Sequence, residues 1–75
     1  MQIGSRTVRV VVESSSVTSV GFDEAVSALE IEFAGGAVYR SFAVPAAVHV
    51  ALMDASSKGA FFNQHVRAKY PFARV

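Results

Sequence analysis

Residues 28–45 read Ala-Leu-Glu-Ile-Glu-Phe-Ala-Gly-Gly-Ala-Val-Tyr-Arg-Ser-Phe-Ala-Val-Pro, and they predict a hairpin that leads into a helix. Leu29, Ile31 and Phe33 alternate with alanine and glutamate, so a strand here sends three large apolar groups to one face. Glu30 and Glu32 then form the solvated face of the strand. The Gly-Gly pair accepts the positive φ angles that a tight turn requires. This alternation makes 28–33 the clearest strand in the sequence.

The chain returns after the turn as a second strand, predicted over residues 37–43. In this strand Tyr39 and Ser41 share one face, and Val38, Arg40 and Phe42 share the other. Pro45 cannot donate to a β-ladder but suits the first turn of a helix. The strand is therefore expected to end before this proline.

Two further strands are predicted before the hairpin, and two helices after it. Residues 7–12 are rich in β-branched side chains, and residues 17–22 place Thr18, Val20 and Phe22 on one side. A helix begins at Pro45 with apolar residues at helical spacing, and a second runs over residues 57–68 to the break at Pro71. The residues predicted to be buried are Leu29, Ile31, Phe33, Val48, Leu52, Phe62 and Val66.

This order of elements predicts an α+β fold: an antiparallel β-meander of three to four strands followed by two helices packed on one face. Residues 1–75 form a single domain, with an N-terminal strand extension over 1–12 and a core over 13–75. The N-terminal strand is expected at a sheet edge, where its valines need pairing or protection. Pairing across a dimer axis is one solution.

The composition is apolar for a chain of 75 residues, with 52% hydrophobic and 17% charged residues. A self-association surface, such as that of a homodimer, accounts for this excess, because exposed apolar patches usually mark contacts. A packed monomer with scattered apolar surface is the alternative. The N-terminus lacks a signal-peptide profile and no apolar run approaches a membrane span, so we expect a cytoplasmic protein without membrane contact.

Catalytic and metal chemistry have little support in the sequence. The chain has no cysteine, which excludes disulfides and thiolate ligands. Neither His49 nor His65 has a carboxylate at a favourable helical spacing, and sixteen residues separate the two. We expect no catalytic residues, no metal, no cofactor and no enzyme activity.

Charge is divided unevenly along the chain, although the net charge is only +1. Residues 1–34 carry two arginines against five acidic residues, whereas residues 35–75 carry five cations against Asp54. A basic edge of this kind suits an acidic partner such as RNA. The candidate nucleic-acid or anion-binding residues are Tyr39, Arg40, Lys58, Asn63, His65, Arg67 and Lys69, with Arg74 as a further cation.

Each candidate also has a simpler structural interpretation. Tyr39 stacks a base, or it packs under a helix with its hydroxyl at the rim. Arg40 points to the opposite face of the same strand and cannot serve one pocket with Tyr39 directly. The segment Ser57-Lys58-Gly59 offers free amide groups to an anion, or it supplies a helix cap, a snorkelling lysine and a close-packing glycine. The structural interpretation is favoured in each case.

Several segments together resemble the KTSC domain, a short module found at the C-terminus of some lysyl-tRNA synthetases and as a stand-alone bacterial protein. The similarity covers residues 13–75 and depends on segments in fixed order, among them 20–23, 29–33, 36–39, 55–59, 61–63 and 67–71. The resemblance implies a Tyr-x-Tyr on the strand after the glycine turn. This chain keeps Tyr39 but has Ser41 at the second position, and Phe22 stands where a tyrosine is usual.

The sequence and the resemblance together predict a small non-enzymatic binding module. RNA binding through the basic C-terminal helix is the first expectation, in line with the synthetase context of the family. The alternative is a protein-interaction or self-associating structural domain, driven by the apolar excess.

Overall fold

Consecutive strands pair with one another in one antiparallel sheet, which confirms the predicted meander. The computed structural model describes residues 7–75, and the strand order in the sheet is the order in the chain. Residues 1–6, the first part of the predicted strand extension, lie outside the described residues. The strands are β1 (Arg9–Val11), β2 (Val17–Asp23), β3 (Ala28–Phe33), β4 (Val38–Ser41) and β5 (Phe72–Arg74).

The β3–β4 hairpin forms at the predicted glycine turn. The backbone N–H of Gly36 donates to the carbonyl of Phe33 at 2.8 Å, and the N–H of Phe33 donates to the carbonyl of Ala37 at 2.8 Å. Gly36 has a φ of 97°, in the region that glycine enters without a steric penalty. The turn therefore fixes the register in which Ile31 lies opposite Tyr39.

Strand β4 is shorter than the predicted 37–43 and ends at Ser41. Ala43 adopts a φ of 60°, a left-handed conformation that cannot continue a strand. The turn directs Val44 into the core, where its N–H donates to the carbonyl of Ser27 at 2.9 Å. Phe42, the last residue before the turn, donates its N–H to the carbonyl of Pro71 at 2.9 Å.

Strand β2 contains an irregularity that the alternation in its sequence does not reveal. The pairing with β3 shifts between Val17 and Ser19, which is the signature of a β-bulge. Val17 and Val20 are buried, whereas Thr18 is exposed. The prediction that Thr18 shares a face with Val20 is wrong, because the extra residue of the bulge reverses the alternation.

Two helical segments follow the hairpin, as predicted. Helix α1 spans Ala46–Asp54 and begins directly after Pro45. Helix α2 spans Lys58–Phe61, and the chain continues without a break as a π-helix over Phe62–Arg67, here called the π-segment. Ser57 caps α2 by accepting a hydrogen bond from the N–H of Ala60 at 3.4 Å, which agrees with the predicted capping serine.

The fifth strand is the main difference from the predicted three to four strands. Residues Phe72–Arg74 follow Pro71 and pair antiparallel with β4, so that Phe72 lies opposite Ser41 and Arg74 opposite Tyr39. Three residues are too few to show alternation in the sequence. This strand depends on long-range pairing with the exposed edge of β4, which local propensity does not reveal.

The core lies between the sheet and the helices. Five of the seven residues predicted to be buried are fully buried, and the other two, Phe33 and Val48, are half-buried and pack against the cluster. The buried cluster consists of Val17, Val20, Leu29, Ile31, Val44, Leu52, Phe62 and Val66. Because β2, β3, α1 and the π-segment all contribute to it, the helices cover one face of the sheet.

Truncating the centre of this cluster tests the packing. Phe62 has no exposed surface, so Phe62→Ala is expected to lower the free energy of unfolding by about 3–5 kcal/mol. Phe42→Ala is the matched control, because Phe42 is 39% exposed and lies outside the cluster. Chemical denaturation of both variants measures the effect. Equal losses would contradict this position of the core.

Alanine substitutions at two glycines test the close approach of β1 to β2. A Cβ atom at Gly21 would lie 2.6 Å from the carbonyl oxygen of Val8, whereas a Cβ at Gly35 would meet nothing within 4 Å. Gly21→Ala must displace β1 and is expected to cost about 1–3 kcal/mol of stability. Gly35→Ala is expected to change thermal stability little or to raise it. A stable Gly21→Ala protein with unchanged amide protection in β1 would refute this contact.

Candidate nucleic-acid interface

The alternation of β4 separates two of the predicted site residues. Tyr39 lies on the helix-covered face, and Arg40 lies on the opposite face, as their positions in the strand require. The two faces carry different chemistry.

The open face of the sheet carries an ionic cluster of Arg9, Asp23, Glu30 and Arg40. Arg40 Nη1 lies 2.9 Å from Glu30 Oε2, and Arg40 Nη2 lies 3.7 Å from Asp23 Oδ2. Arg9 Nη1 contacts the other oxygen of Glu30 at 3.2 Å. The Arg40 side chain is only 14% exposed. Arg40 is therefore engaged with carboxylates, and it lies apart from the other predicted site residues.

The two glutamates of β3 lie on the predicted face, but that face is less open to water than expected. Glu30 is 15% exposed and bridges Arg9 and Arg40. Glu32 accepts a hydrogen bond from the hydroxyl of Ser19 at 2.9 Å. The added cover comes from β1 and from the arginine side chains. Both carboxylates therefore stabilise the sheet instead of forming a free carboxylate pair.

Tyr39 lies within a group of aromatic rings on the helix-covered face. Its ring contacts Phe33 and Phe62 edge-on, with centroid distances of 5.7 Å and 6.5 Å. It stacks on Phe72 of β5 at 5.4 Å with an interplanar angle of 24°. Tyr39 is half-buried, which agrees with the packing interpretation of this residue, while Phe72 is 40% exposed.

Arg67 joins this pair of stacked rings from the end of the π-segment. Its guanidinium carbon lies 5.7 Å from the centroid of Tyr39 and 5.7 Å from that of Phe72, within the range of a cation–π interaction. We call Tyr39, Arg67 and Phe72 the aromatic–arginine patch. It holds two flat rings and a planar cation together at the β5 edge of the sheet.

Two further cations lie close to the patch residues in the sequence or in the strand register. Arg74 lies opposite Tyr39 in the β4–β5 register, and Lys69 follows Arg67 by two residues. Arg67, Lys69 and Arg74 are exposed and, within residues 7–75, none of them forms an ion pair. No aspartate or glutamate occurs in residues 55–75. This edge therefore differs from the open face, where arginines and carboxylates compensate one another.

The remaining predicted residues have other surroundings. The ammonium group of Lys58 donates to the carbonyl of Ala55 at 3.1 Å and so stabilises the junction between the helices. Asn63 and His65 are exposed on the π-segment. The His65 ring contacts that of Phe61, with 4.7 Å between the ring centroids. The structure thus brings Tyr39 and Arg67 together and places Lys58 in a structural contact.

Sequence reasoning missed Phe72 as a member of the site. No local signal marks Phe72, because the three residues of β5 form a strand only against β4. Once they are paired, alternation sends the aromatic ring of Phe72 and the cation of Arg74 to one face. Phe72 supplies the second ring beside Tyr39. Ser41, at the position of the expected second tyrosine, is fully buried, and its hydroxyl has no hydrogen-bond partner among the described residues.

A cleft lies beside the ends of β1 and β2, away from the residues of the patch. It is an open cleft of about 360 Å³ lined by Thr7, Val8, Phe22, Asp23, Glu24 and His49. The His49 ring stacks on Phe22 at 5.1 Å. Residues 7–75 contain no group of three or more histidine, aspartate or glutamate side chains that could hold a metal ion. In the same part of the chain, no helix has the length and apolar character needed to cross a membrane.

The geometry defines a small α+β domain whose β5 edge carries an aromatic and basic patch. The KTSC domain family model matches residues 13–70, and the chain therefore belongs to the KTSC domain family. A crystal structure of a KTSC domain protein from Yersinia pestis superimposes with a TM-score of 0.85 at 34% sequence identity, covering 93% of this chain and 99% of that one. The resemblance noted in the sequence is confirmed.

Two relatives show the settings in which such a chain occurs. An uncharacterized protein of Stutzerimonas stutzeri is 50% identical over 56 residues, which is 75% of this chain and 79% of that protein. A lysine–tRNA ligase of Nostoc punctiforme is 35% identical over 63 residues, which is 84% of this chain but only 11% of the ligase. The chain thus spans a small part of the ligase and most of the short relative.

A cation in an ion pair and a cation without one are expected to differ in their effect on stability. Arg40→Ala leaves the carboxylates of Glu30 and Asp23 short of a cation in a partly buried site. The free energy of unfolding is expected to fall by about 1–3 kcal/mol, which lies between the effects of breaking exposed and buried ion pairs. Lys69→Ala removes an exposed cation without an ion pair and should change stability by about 0.5 kcal/mol or less. Urea denaturation compares them, and equal losses would show that the ionic cluster does not stabilise the sheet.

Proposed function

We propose that this protein is a non-enzymatic, cytoplasmic module that binds single-stranded RNA at the aromatic–arginine patch. The observation that carries the proposal is the position of the Arg67 guanidinium, 5.7 Å from the centroids of two stacked rings at an edge with uncompensated cations. Single-stranded RNA offers both unstacked bases and phosphates, and this edge offers a partner for each.

The aromatic rings and Arg67 suit the bases of a single strand. Proteins that bind single strands use aromatic side chains and arginine planes as stacking platforms, each worth about 1–3 kcal/mol per base. Phe72 is 40% exposed, and Arg67 extends the aromatic surface with a planar, weakly hydrated cation. A base that reaches the edge therefore finds a flat surface already held in position by packing against Phe33 and Phe62.

The cations at this edge suit the phosphates of a single strand. Arg67, Lys69 and Arg74 have no carboxylate partner within the described residues, so a phosphate does not have to displace an ion pair. The open face lacks this property, because Arg9 and Arg40 are already bound to Glu30. Within residues 7–75, the β5 edge therefore combines stacking surface with uncompensated positive charge, and the open face does not.

The setting of one relative also supports RNA as the partner. A lysine–tRNA ligase carries a segment similar to 84% of this chain, and that enzyme by its name acts on a transfer RNA. A domain attached to such an enzyme is in a setting where RNA binding is useful. The setting supports the choice of RNA among anionic partners.

Fluorescence anisotropy with a labelled single-stranded RNA of about 12 nucleotides tests the proposal. At low salt the protein is expected to bind more tightly than about 10⁻⁴ M, with a duplex of the same length bound less well. Phe72→Ala should weaken binding by about 5- to 150-fold, because it removes a stacking surface worth about 1–3 kcal/mol. Arg67→Ala should also lower the slope of log K against log salt by about 0.7.

Lys58→Ala is the matched control. It also removes one positive charge, but from a side chain whose ammonium group donates to the carbonyl of Ala55. It is expected to leave RNA affinity nearly unchanged. Arg67→Lys keeps the charge but loses the planar group. Its salt slope should therefore equal that of the wild type, while its affinity for RNA should be lower. Binding weaker than about 10⁻⁴ M at low salt, or equal losses in Arg67→Ala and Lys58→Ala, would refute the proposal.

A further inference from the structure

The outer edge of β1 exposes apolar side chains. Val8 is 81% exposed, Val10 51% and Val11 83%, and among the described residues β1 pairs only with β2. Proteins usually protect such an edge with charges, prolines or a covering element, because unpaired backbone groups on an apolar strand attract another strand. The opposite edge carries the exposed cations Arg67 and Arg74, so like charges disfavour pairing of two copies there.

The backbone of β1 has a defined free side. The N–H of Val12 donates to the carbonyl of Thr18 in β2 at 3.1 Å. Backbone groups of alternate residues in an antiparallel strand point in opposite directions. The N–H and C=O groups of Arg9, Val11 and Glu13 therefore point away from β2, toward any strand that pairs with the free edge.

The sequence of this edge is complementary to itself in one antiparallel register. When Val11 lies opposite Val11 of a second copy, Arg9 lies opposite Glu13 of that copy, and Val10 lies opposite its Val12. At each end Glu13 then lies beside Arg9 of the other copy, which already contacts Glu30 of its own chain at 3.2 Å, so that Arg9 bridges two carboxylates. Valines meet in the middle. Glu13 is exposed and has no ion-pair partner within residues 7–75, so it is free to meet a cation from outside.

We propose that two copies of this chain form a symmetric dimer by antiparallel pairing of their β1 strands, with the two-fold axis at Val11. Every outward-facing backbone group of Arg9, Val11 and Glu13 gains a partner in this register. The two sheets become one continuous sheet with the helices of both copies on the same face. The aromatic–arginine patches lie at the two far edges, since β1 and β5 are opposite ends of the strand order.

Sedimentation equilibrium on the full chain, at concentrations up to about 1 mM, tests the dimer. The wild type is expected to dimerise within this range. Val11→Lys places two like charges opposite each other on the axis and should weaken dimerisation by about tenfold or more. Val75→Lys is the matched control: Val75 is 66% exposed and follows β5 at the other edge, so this change should leave the dimer intact.

A second variant and a second measurement distinguish loss of the dimer from misfolding of Val11→Lys. Glu13→Lys replaces the proposed attraction to Arg9 by repulsion and breaks no ion pair of Glu13 within the described residues, so it should also weaken the dimer. In wild type, amide exchange of Val11 should slow as concentration rises, whereas that of Val12, already bonded to Thr18, should change less. A monomer at about 1 mM, or a dimer insensitive to both variants, would overturn the proposal.

The dimer does not rest on RNA binding, and the two can fail separately. Val11→Lys lies at the edge opposite the patch, so a monomeric Val11→Lys protein should still bind a short RNA with the affinity of a single patch. A longer RNA that reaches both patches should bind the wild-type dimer more tightly than the monomeric variant, through a raised effective concentration at the second patch.

Discussion

The pairing of β4 between β3 and β5 is the constraint on which the rest of the structure depends. Its register with β3 is set by the turn at Gly36, and its register with β5 places Arg74 opposite Tyr39. Because side chains alternate along a strand, this single placement sends Tyr39 to the helix-covered face and Arg40 to the open face. A one-residue slip would exchange them and destroy both the aromatic group and the ionic cluster.

The two faces of β4 hold different kinds of contact, ion pairs on the open face and aromatic packing on the helix-covered face. On the open face, Arg40 and Arg9 are held by Glu30, so their charges contribute to the sheet and leave little for a ligand. On the other face, Tyr39 contacts the buried Phe62 and the exposed Phe72 at once. Aromatic packing thus continues from the core to the surface, where the Arg67 guanidinium lies 5.7 Å from the centroids of Tyr39 and Phe72.

Sequence reasoning succeeded where structure follows from local periodicity and failed where it follows from distant pairing. The alternation of Leu29 and Ile31 identified β3 and its buried face, and Pro45 marked the start of α1. The bulge at Thr18 was hidden because it adds one residue to an otherwise regular pattern. Strand β5 was hidden because its three residues form a strand only against β4. For the same reason Phe72 was absent from the predicted site, while Arg67 was included on charge alone.

We propose that the β5 edge, and not the open face of the sheet, receives RNA. Chemical-shift mapping by NMR on titration with a short single-stranded RNA tests this claim most directly. We expect the largest shifts at the Tyr39 and Phe72 rings and at the Arg67 guanidinium, with little change at Arg40 and Glu30. Shifts concentrated on the ionic cluster, or none at protein concentrations near about 1 mM, would contradict the account.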